Sequence, residues 1–301
     1  MIFGAVTDFP ELANLVVIPV GVNYSNPSQF RSTIFFNVGK PIKISDYLDA
    51  YKEAPAKTMN QFLLDLAPRM KELIVNINHP RNEKVIEHIE EIYKYAYFKK
   101  HKYRFSNLED SFKFSTSVAE TINAAELINP EQVTELAYQT TAYTIALENQ
   151  HLKDWLLNPA KQYMINYANL IARCLFIVAM LPIYVVGVLG NYLPYKLTAM
   201  LVRTKIKLVE FKASYLGFGA VLFLLNYALI YTITTLCSSY WYGLLAVFMF
   251  VLAGRICIWL SPFRKKTIGI YRAIKLKSSQ SALWKQLSTQ RKDALALYQG
   301  L

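Results

Sequence analysis

The sequence predicts an α+β chain that begins with a few β-strands, continues with a helical region and then forms a bundle of membrane helices. Three observations lead to this fold class. Two β-prone runs lie close together within residues 1–54, and apolar residues recur at helical spacing within residues 55–165. Residues 166–277 contain apolar segments of about 20 residues, the length that an α-helix needs to cross a bilayer.

The composition indicates a protein that works at a membrane. Apolar residues make up 53% of the 301 residues, and the formal net charge is +12. Nucleic acid and anionic lipid are the usual partners of so basic a chain. We expect membrane lipid and no nucleic acid, because the basic clusters flank apolar segments and the sequence has no zinc-finger or Gly/Arg-rich pattern.

The two β-prone runs cover residues 15–22 and 32–39. The first run is almost continuously apolar, which is typical of a strand that is covered on both faces, although Pro19 favours an edge position or a bulge. Residues 25–29 between the runs are rich in Ser, Asn and Pro, which are common in turns. The runs therefore predict two neighbouring strands.

The helical region contains two helix starts. Thr58 and Gln61 have the spacing of a capping box, which predicts a helix that starts at Thr58 and that Pro68 kinks or divides. Asn129 and Pro130 combine a capping side chain with a proline at the first helical position, so they predict a second start. The apolar stripes that follow are expected to be packing faces rather than sites of chemistry.

A hairpin of two transmembrane helices is predicted at residues 215–236 and 241–260. The loop between them is short and neutral, whereas both outer flanks are rich in Lys and Arg. Because positively charged flanks stay in the cytoplasm, we expect a multi-pass membrane protein whose soluble part lies on the cytoplasmic face.

Residues 174–193 form a further apolar segment of a different kind. Pro182, Gly187 and Gly190 interrupt it, so we favour a re-entrant or broken helix over a full crossing. A full crossing would place the preceding helical region on the other side of the membrane. Residues 278–301 predict an amphipathic tail helix that either lies on a surface or frays.

Three short motifs follow one another near the N-terminus. They are Leu15-Val16-Val17-Ile18-Pro19-Val20, then Phe30-Arg31-Ser32, then Val38-Gly39-Lys40-Pro41-Ile42. In this order the motifs resemble the last conserved block of the PlsC-type glycerolipid acyltransferases, which include glycerol-3-phosphate and 1-acylglycerol-3-phosphate acyltransferases. Residues 181–214 also resemble the membrane-bound C-terminal part of a longer subgroup of this family.

The resemblance implies that the N-terminal segment is a remnant of an α/β acyltransferase sheet. In the family, a histidine base oriented by an aspartate activates the acceptor hydroxyl, which attacks the thioester of acyl-CoA or acyl-ACP. These acyl donors are substrates, and no cofactor is implied. Val17, Ile18, Pro19 and Val20 map to a motif that lines or supports the acyl and acceptor pocket. Arg31 is a candidate ligand for the acceptor phosphate, or alternatively an arginine that is paired at the start of a strand.

The sequence departs from the family in its catalytic motifs. None of the four histidines is followed by an aspartate at the family's spacing, and no glutamate is followed by glycine, so the Glu-Gly-Thr-Arg phosphate motif is absent as well. No catalytic residue is therefore assigned, and the three cysteines share no metal-like spacing. We expect a truncated C-terminal part of an acyltransferase that is inactive by itself. The alternative is a non-catalytic membrane-anchored scaffold whose helical region binds partner proteins.

Overall fold

The computed structural model describes residues 2–9, 14–24, 33–205 and 213–301. The described chain is mostly helical, with a few short strands and three long apolar helices. It forms two compact units, of which the first is Met1–Ala146 with Thr289–Leu301 and the second is Leu147–Ser288. The predicted combination of a few strands, many helices and membrane-type helices is confirmed, whereas its origin in a larger sheet stays a prediction.

The strands of the first unit are β1 (Val16–Val17), β2 (Val20–Tyr24), β3 (Ile34–Val38) and β4 (Ile42–Lys43). β1 pairs antiparallel with β4, and β2 pairs antiparallel with β3. Pro19 lies between β1 and β2 because it has no N–H for a ladder bond, while its carbonyl oxygen accepts a hydrogen bond from Gly39 N at 2.9 Å. The expected pairing of the two runs and the irregularity at Pro19 are therefore confirmed.

The helices of the first unit are α1 (Ile2–Asp8), α2 (Ser45–Glu53), α3 (Pro55–Lys71), α4 (Glu83–His101), α5 (Leu108–Ile128), most of α6 (Pro130–Asn149) and the second half of α10 (Ser281–Gln299). The start of α6 is as predicted. Pro130 is its first residue, and Asn129 Oδ1 accepts a hydrogen bond from Gln132 N at 3.2 Å. A polar cap followed by proline thus fixes this helix start.

The predicted start of α3 at Thr58 is wrong. The helix begins at Pro55, and Thr58 lies one turn inside it, where its hydroxyl donates to Ala54 O at 3.1 Å. A proline suits the first helical position because it has no N–H to satisfy there. Pro55 therefore begins the helix before the capping-box pattern is reached, and α3 continues past Pro68 to Lys71.

Two hydrophobic clusters hold the first unit together. The N-terminal cluster joins α1, the strands and α3 and consists of Phe3, Val6, Ile42, Ile44 and Phe62. The larger helical cluster includes Val85, Ile89, Phe98, Phe114, Val118, Ile122, Val133, Leu136 and Tyr298. Tyr298 belongs to α10, and the buried Arg291 of the same helix donates to Ile92 O at 2.7 Å. The end of the tail helix is therefore part of this core.

The second unit contains the apolar helices α7 (Tyr167–Lys205), α8 (Ala213–Cys237) and α9 (Tyr240–Ser279). Each of the three is long and apolar enough to cross a membrane, which indicates a membrane protein. Ser238 and Ser239 alone separate α8 from α9, as expected for a tight hairpin. α9 continues as a helix well beyond the predicted end of its apolar part at residue 260.

α7 differs from the broken segment expected at residues 174–193, because it is one continuous helix with Pro182 and Pro194 inside it. A proline at position 194 removes the N–H that would bond the carbonyl of Gly190, four residues earlier. Asn226 of α8 donates to that carbonyl from Nδ2 at 2.9 Å. A neighbouring helix thus replaces the lost donor, which is how transmembrane helices tolerate proline.

The middle of the contact between α7 and α9 contains small residues and one amide, while aromatic side chains such as Phe176 and Phe263 meet nearer its end. A Cβ atom added at Gly187 would lie 2.6 Å from the carbonyl oxygen of Ala253, so the two backbones approach closely. Asn191 Nδ2 donates to the carbonyls of Gly187 at 2.8 Å and Phe250 at 3.1 Å. Its Oδ1 accepts from the hydroxyl of Tyr227 in α8 at 2.7 Å. Small residues and interhelical hydrogen bonds are the usual means of helix association in lipid.

Candidate functional site

The residues that the resemblance assigns to a pocket lie on alternate sides of the N-terminal strands. Val17 packs against the N-terminal cluster, and Pro19 is buried. Ile18 and Val20 are 49% and 40% exposed. Because neighbouring residues of an extended chain point to opposite faces, these four side chains do not converge on one pocket. Arg31, the candidate phosphate ligand, lies outside the described residues.

One face of the β2–β3 hairpin is apolar and exposed. Residues that are directly paired across two antiparallel strands point to the same side of the sheet. This surface, the outer hairpin face, consists of three such pairs: Val20 with Val38, Val22 with Phe36, and Tyr24 with Ile34. All six side chains are exposed, from 40% for Val20 to 64% for Val38. A contiguous apolar surface of this kind marks an interaction site.

The opposite, inner face of the hairpin is fixed to the segment that follows α3. A Cβ atom at Gly21 would overlap the carbonyl group of Leu73, so the strand lies directly on that backbone. Asn23 Nδ2 donates to Leu73 O at 2.9 Å, and its Oδ1 accepts from Val75 N at 3.2 Å. The hairpin is therefore held through one face, while no described residue covers the other in the same way.

The edges of the hairpin are open as well. In the part of the chain that the structure describes, β2 and β3 pair only with each other, as a two-stranded sheet. An open edge presents unpaired backbone N–H and C=O groups that can accept a further strand. The sequence pattern predicted a strand that is covered on both faces, and the described residues cover one.

The described residues do not gather reactive side chains into a metal site. No group of three or more His, Cys, Asp or Glu side chains with suitable geometry occurs among them. His79 and His101 are exposed at the ends of helices, and His88 is half-buried on α4. His151 follows α6 and adopts a left-handed backbone conformation with φ of 51°. No residue is assigned a catalytic role on this basis.

Two groups with shifted pKa values lie in the helical core of the first unit. Burial raises the pKa of Glu90, although a hydrogen bond with Ser115 and the charge of Lys94 oppose that shift. Burial likewise raises the pKa of Tyr298 to about 12. Glu90 belongs to α4 and Tyr298 to α10. Both pKa shifts therefore arise from burial among the helices of the first unit, and neither involves the hairpin.

Comparison of the chain with known proteins finds no matching family model, no matching curated protein and no matching solved structure. The likeness to the glycerolipid acyltransferases therefore depends on the sequence motifs alone.

Proposed function

We propose that this chain is the C-terminal, membrane-bound part of a glycerolipid acyltransferase. Such an enzyme transfers a fatty acyl group from acyl-CoA or acyl-ACP to glycerol 3-phosphate or a lysophospholipid. The hydroxyl oxygen of the acceptor forms the new ester bond while its proton passes to a histidine base, the C–S bond of the thioester breaks, and the histidine then gives the proton to the departing thiolate. In this proposal the base and its aspartate belong to residues other than these 301.

The outer hairpin face carries this proposal. The motif residues Val20 and Val38 belong to it, and its remaining members continue the same two runs. An exposed apolar face lacks the stabilisation that burial would give it, about 25 cal/mol for each Å² of apolar surface that is covered. A larger acyltransferase sheet with its covering helices would supply both a neighbour for the open edges and a cover for this face.

The long apolar helices support a lipid acceptor. A chain with three helices that are able to cross a membrane keeps any attached soluble domain next to the bilayer, where lysophospholipids and acylated products reside. The proposal includes a multi-pass arrangement with the soluble part on the cytoplasmic face, because the lysines and arginines cluster beside the apolar segments.

The first test compares this chain with a longer protein that also contains the residues encoded in frame before Met1 in the genomic DNA. Both proteins are purified, reconstituted in vesicles and assayed with acyl-CoA and either glycerol 3-phosphate or a lysophospholipid. We expect no turnover above a no-enzyme control for the 301-residue chain, because the general base is missing. We expect turnover for the extended chain.

Two results would count against the proposal. Turnover by the 301-residue chain would show that its own residues suffice for catalysis. An in-frame stop codon upstream, with no histidine–aspartate pair and no Glu-Gly-Thr-Arg motif before Met1, would remove the acyltransferase altogether. Within the extended chain, Phe36→Ser should lower the activity, whereas Leu127→Ser should not, because Leu127 is an exposed apolar residue of helix α5 and does not belong to the hairpin.

A second function, a membrane-anchored scaffold, is favoured by the same exposed face. An uncovered apolar hairpin on a chain without a clustered metal or acid–base site among its described residues also suits a docking surface for another protein. The scaffold predicts that the outer hairpin face stays exposed in the complete gene product. Cysteine labelling of a Phe36→Cys variant of the extended chain distinguishes the two proposed functions. The acyltransferase proposal predicts that position 36 is protected from the labelling reagent, whereas the scaffold proposal predicts that it is labelled.

A further inference from the structure

A basic cleft lies within the second unit, beside the last part of α9. Its volume is about 320 Å³. One wall is the segment that follows α6, with His151, Lys153 and Trp155, and the other is α9, with Lys265, Lys266 and Arg272. The cleft is thus lined by four permanent cations, one histidine and an indole ring.

Among the residues that the structure describes, no carboxylate lines the cleft beside these cations, since the described lining includes neither Asp nor Glu. Asp154 is adjacent in sequence to two of them but is buried, at 3% exposure, and does not line the cleft. Lys153, Lys265, Lys266 and Arg272 all line the cleft and are all exposed, so solvent reaches these side chains. A concave site of one charge sign concentrates the field and attracts ions of the opposite sign.

The two walls are held together by specific contacts. Arg272 Nη1 donates to the carbonyl oxygen of His151 at 3.3 Å. Leu156 lies beside Gly269 of α9, where a Cβ atom would be in ordinary van der Waals contact with Leu156 Cδ1 at 3.4 Å. Leu156 is buried, and Trp155 next to it is half-buried. The cleft is therefore a formed feature of this unit rather than a chance grouping of surface lysines.

The cleft begins where the apolar part of α9 ends. Leu260 is the last buried apolar residue before the basic stretch, and Lys265 follows five residues later, about 7 Å along a helix that rises ~1.5 Å per residue. Aromatic side chains mark the same level: Trp259 stacks on Phe263 at 6.1 Å, and Arg264 lies over the ring of Tyr184 at 4.8 Å. Aromatic belts and basic residues together are typical of the membrane–water interface.

We propose that this cleft binds the phosphate of an anionic phospholipid headgroup. Lysine and arginine offer charge-assisted hydrogen bonds to phosphate oxygens, and the indole of Trp155 packs against the glycerol and upper acyl region. A soluble phosphate ester has the same charged group, but a cleft at the end of a membrane helix meets lipid headgroups first. This site needs no residue of the hairpin and does not depend on the proposed acyl transfer.

The test measures lipid binding to the purified 301-residue protein by native mass spectrometry in detergent. The protein is titrated with phosphatidic acid, phosphatidylglycerol and phosphatidylcholine. The cleft variant is K265Q/K266Q/R272Q, and the control K275Q/K277Q/K285Q removes the same charge from exposed residues outside the cleft. Lys153→Gln, on the other wall, provides an independent second variant.

We expect the wild type to prefer the anionic lipids to phosphatidylcholine. Each cation near an anionic headgroup contributes about fivefold in affinity, so the cleft variant, which lacks three of them, should bind phosphatidic acid about a hundredfold more weakly and K153Q about fivefold more weakly. The control should stay within about twofold of the wild type.

Three results would overturn the proposal. Equal losses in the cleft variant and the control would assign lipid binding to overall charge. Equal affinity for phosphatidylcholine would remove the selectivity for a net negative headgroup. Displacement of phosphatidic acid by an equal concentration of glycerol 3-phosphate or inorganic phosphate would make the cleft a site for soluble phosphate. None of these results depends on acyl-transfer activity.

Discussion

In the first unit Ile122 of α5 is fully buried, whereas in the second unit Leu189 of α7 is 75% exposed and lies between two glycines that contact α9. The same class of side chain thus fills the core of the first unit and is exposed on the apolar helix α7 of the second. Small residues show the reverse pattern, since Gly187 and Ala253 are buried between helices of the second unit.

This difference shows which interactions stabilise each unit. The helices of the first unit associate because water is excluded from large apolar side chains. Lipid chains are as apolar as leucine, so exposed leucines on the candidate membrane helices of the second unit would gain little from being buried between those helices. They associate through close backbone approach at glycine and through hydrogen bonds such as those of Asn191. Removing volume should therefore damage the first unit, and adding volume should damage the second.

The largest expected effect is from Ile122→Ala in the first unit. This change removes a fully buried side chain and leaves a cavity, which costs about 2–5 kcal/mol of the free energy of unfolding. Hydrogen exchange of the α4 and α5 amides in the intact protein measures the loss. Ile128→Ala on the same helix is the matched control, because Ile128 is 85% exposed and should change stability by no more than about 0.5 kcal/mol.

A smaller effect is expected when a methyl group is added to the second unit by Gly187→Ala. The new Cβ would lie 2.6 Å from both Ala253 O and Cys257 Sγ, so the helices must separate. Overpacking of this kind costs about 1–3 kcal/mol. Thermal unfolding in nanodiscs measures it.

The control for that variant is Gly217→Ala in α8, where nothing lies within 4 Å of the added Cβ. Alanine favours a helix over glycine, so this variant should be as stable as the wild type or slightly more stable. If both substitutions lowered the melting temperature equally, the close approach of α7 and α9 would not be what stabilises the unit.

The smallest effect concerns the charge of Glu90, a half-buried carboxyl group among the helices of the first unit. Burial raises its pKa above 4.5, so the folded state favours the protonated carboxyl. The free energy of unfolding should therefore fall as the pH rises from 4.5 through the raised pKa. Glu90→Gln should flatten this pH dependence and make the protein slightly more stable at pH 7.

Glu91→Gln is the control for Glu90, since Glu91 is exposed on the next position of α4. Chemical denaturation between pH 4 and pH 8 compares the three proteins. A loss of stability at pH 7 in the Glu90 variant alone would mean that the contacts of the carboxylate with Ser115 and Lys94 outweigh the effect of burial.

Local sequence patterns predicted those helices and strands that are determined by residues close together in the sequence. Asn129 and Pro130 identified the start of α6, and the two β-prone runs identified the hairpin. The start of α3 was misplaced because two local signals compete there, and Pro55 begins the helix before Thr58 is reached. Alternation at Val20 and Val22 shows that they share a face, but it does not show which face the rest of the chain covers.

Features that depend on distant residues were not predictable from local patterns. The continuity of α7 through Pro194 needs an amide from α8, and no property of residues 174–193 indicates that donor. The basic cleft joins His151 to Arg272, which are 121 residues apart in sequence. The basic flank of α9 is evident in the sequence, but no local pattern indicates that it contacts the segment after α6.

The hydrogen bond from Asn226 to the carbonyl of Gly190 also has a consequence for biosynthesis. The donor lies 36 residues after the acceptor, so the ribosome completes the Pro194 region well before α8 exists. Until α8 is inserted, that carbonyl needs water or the lateral gate of the translocon as a temporary partner. If both helices cross a membrane, entry of α7 into lipid before its neighbour would cost free energy, so we expect the two helices to insert together.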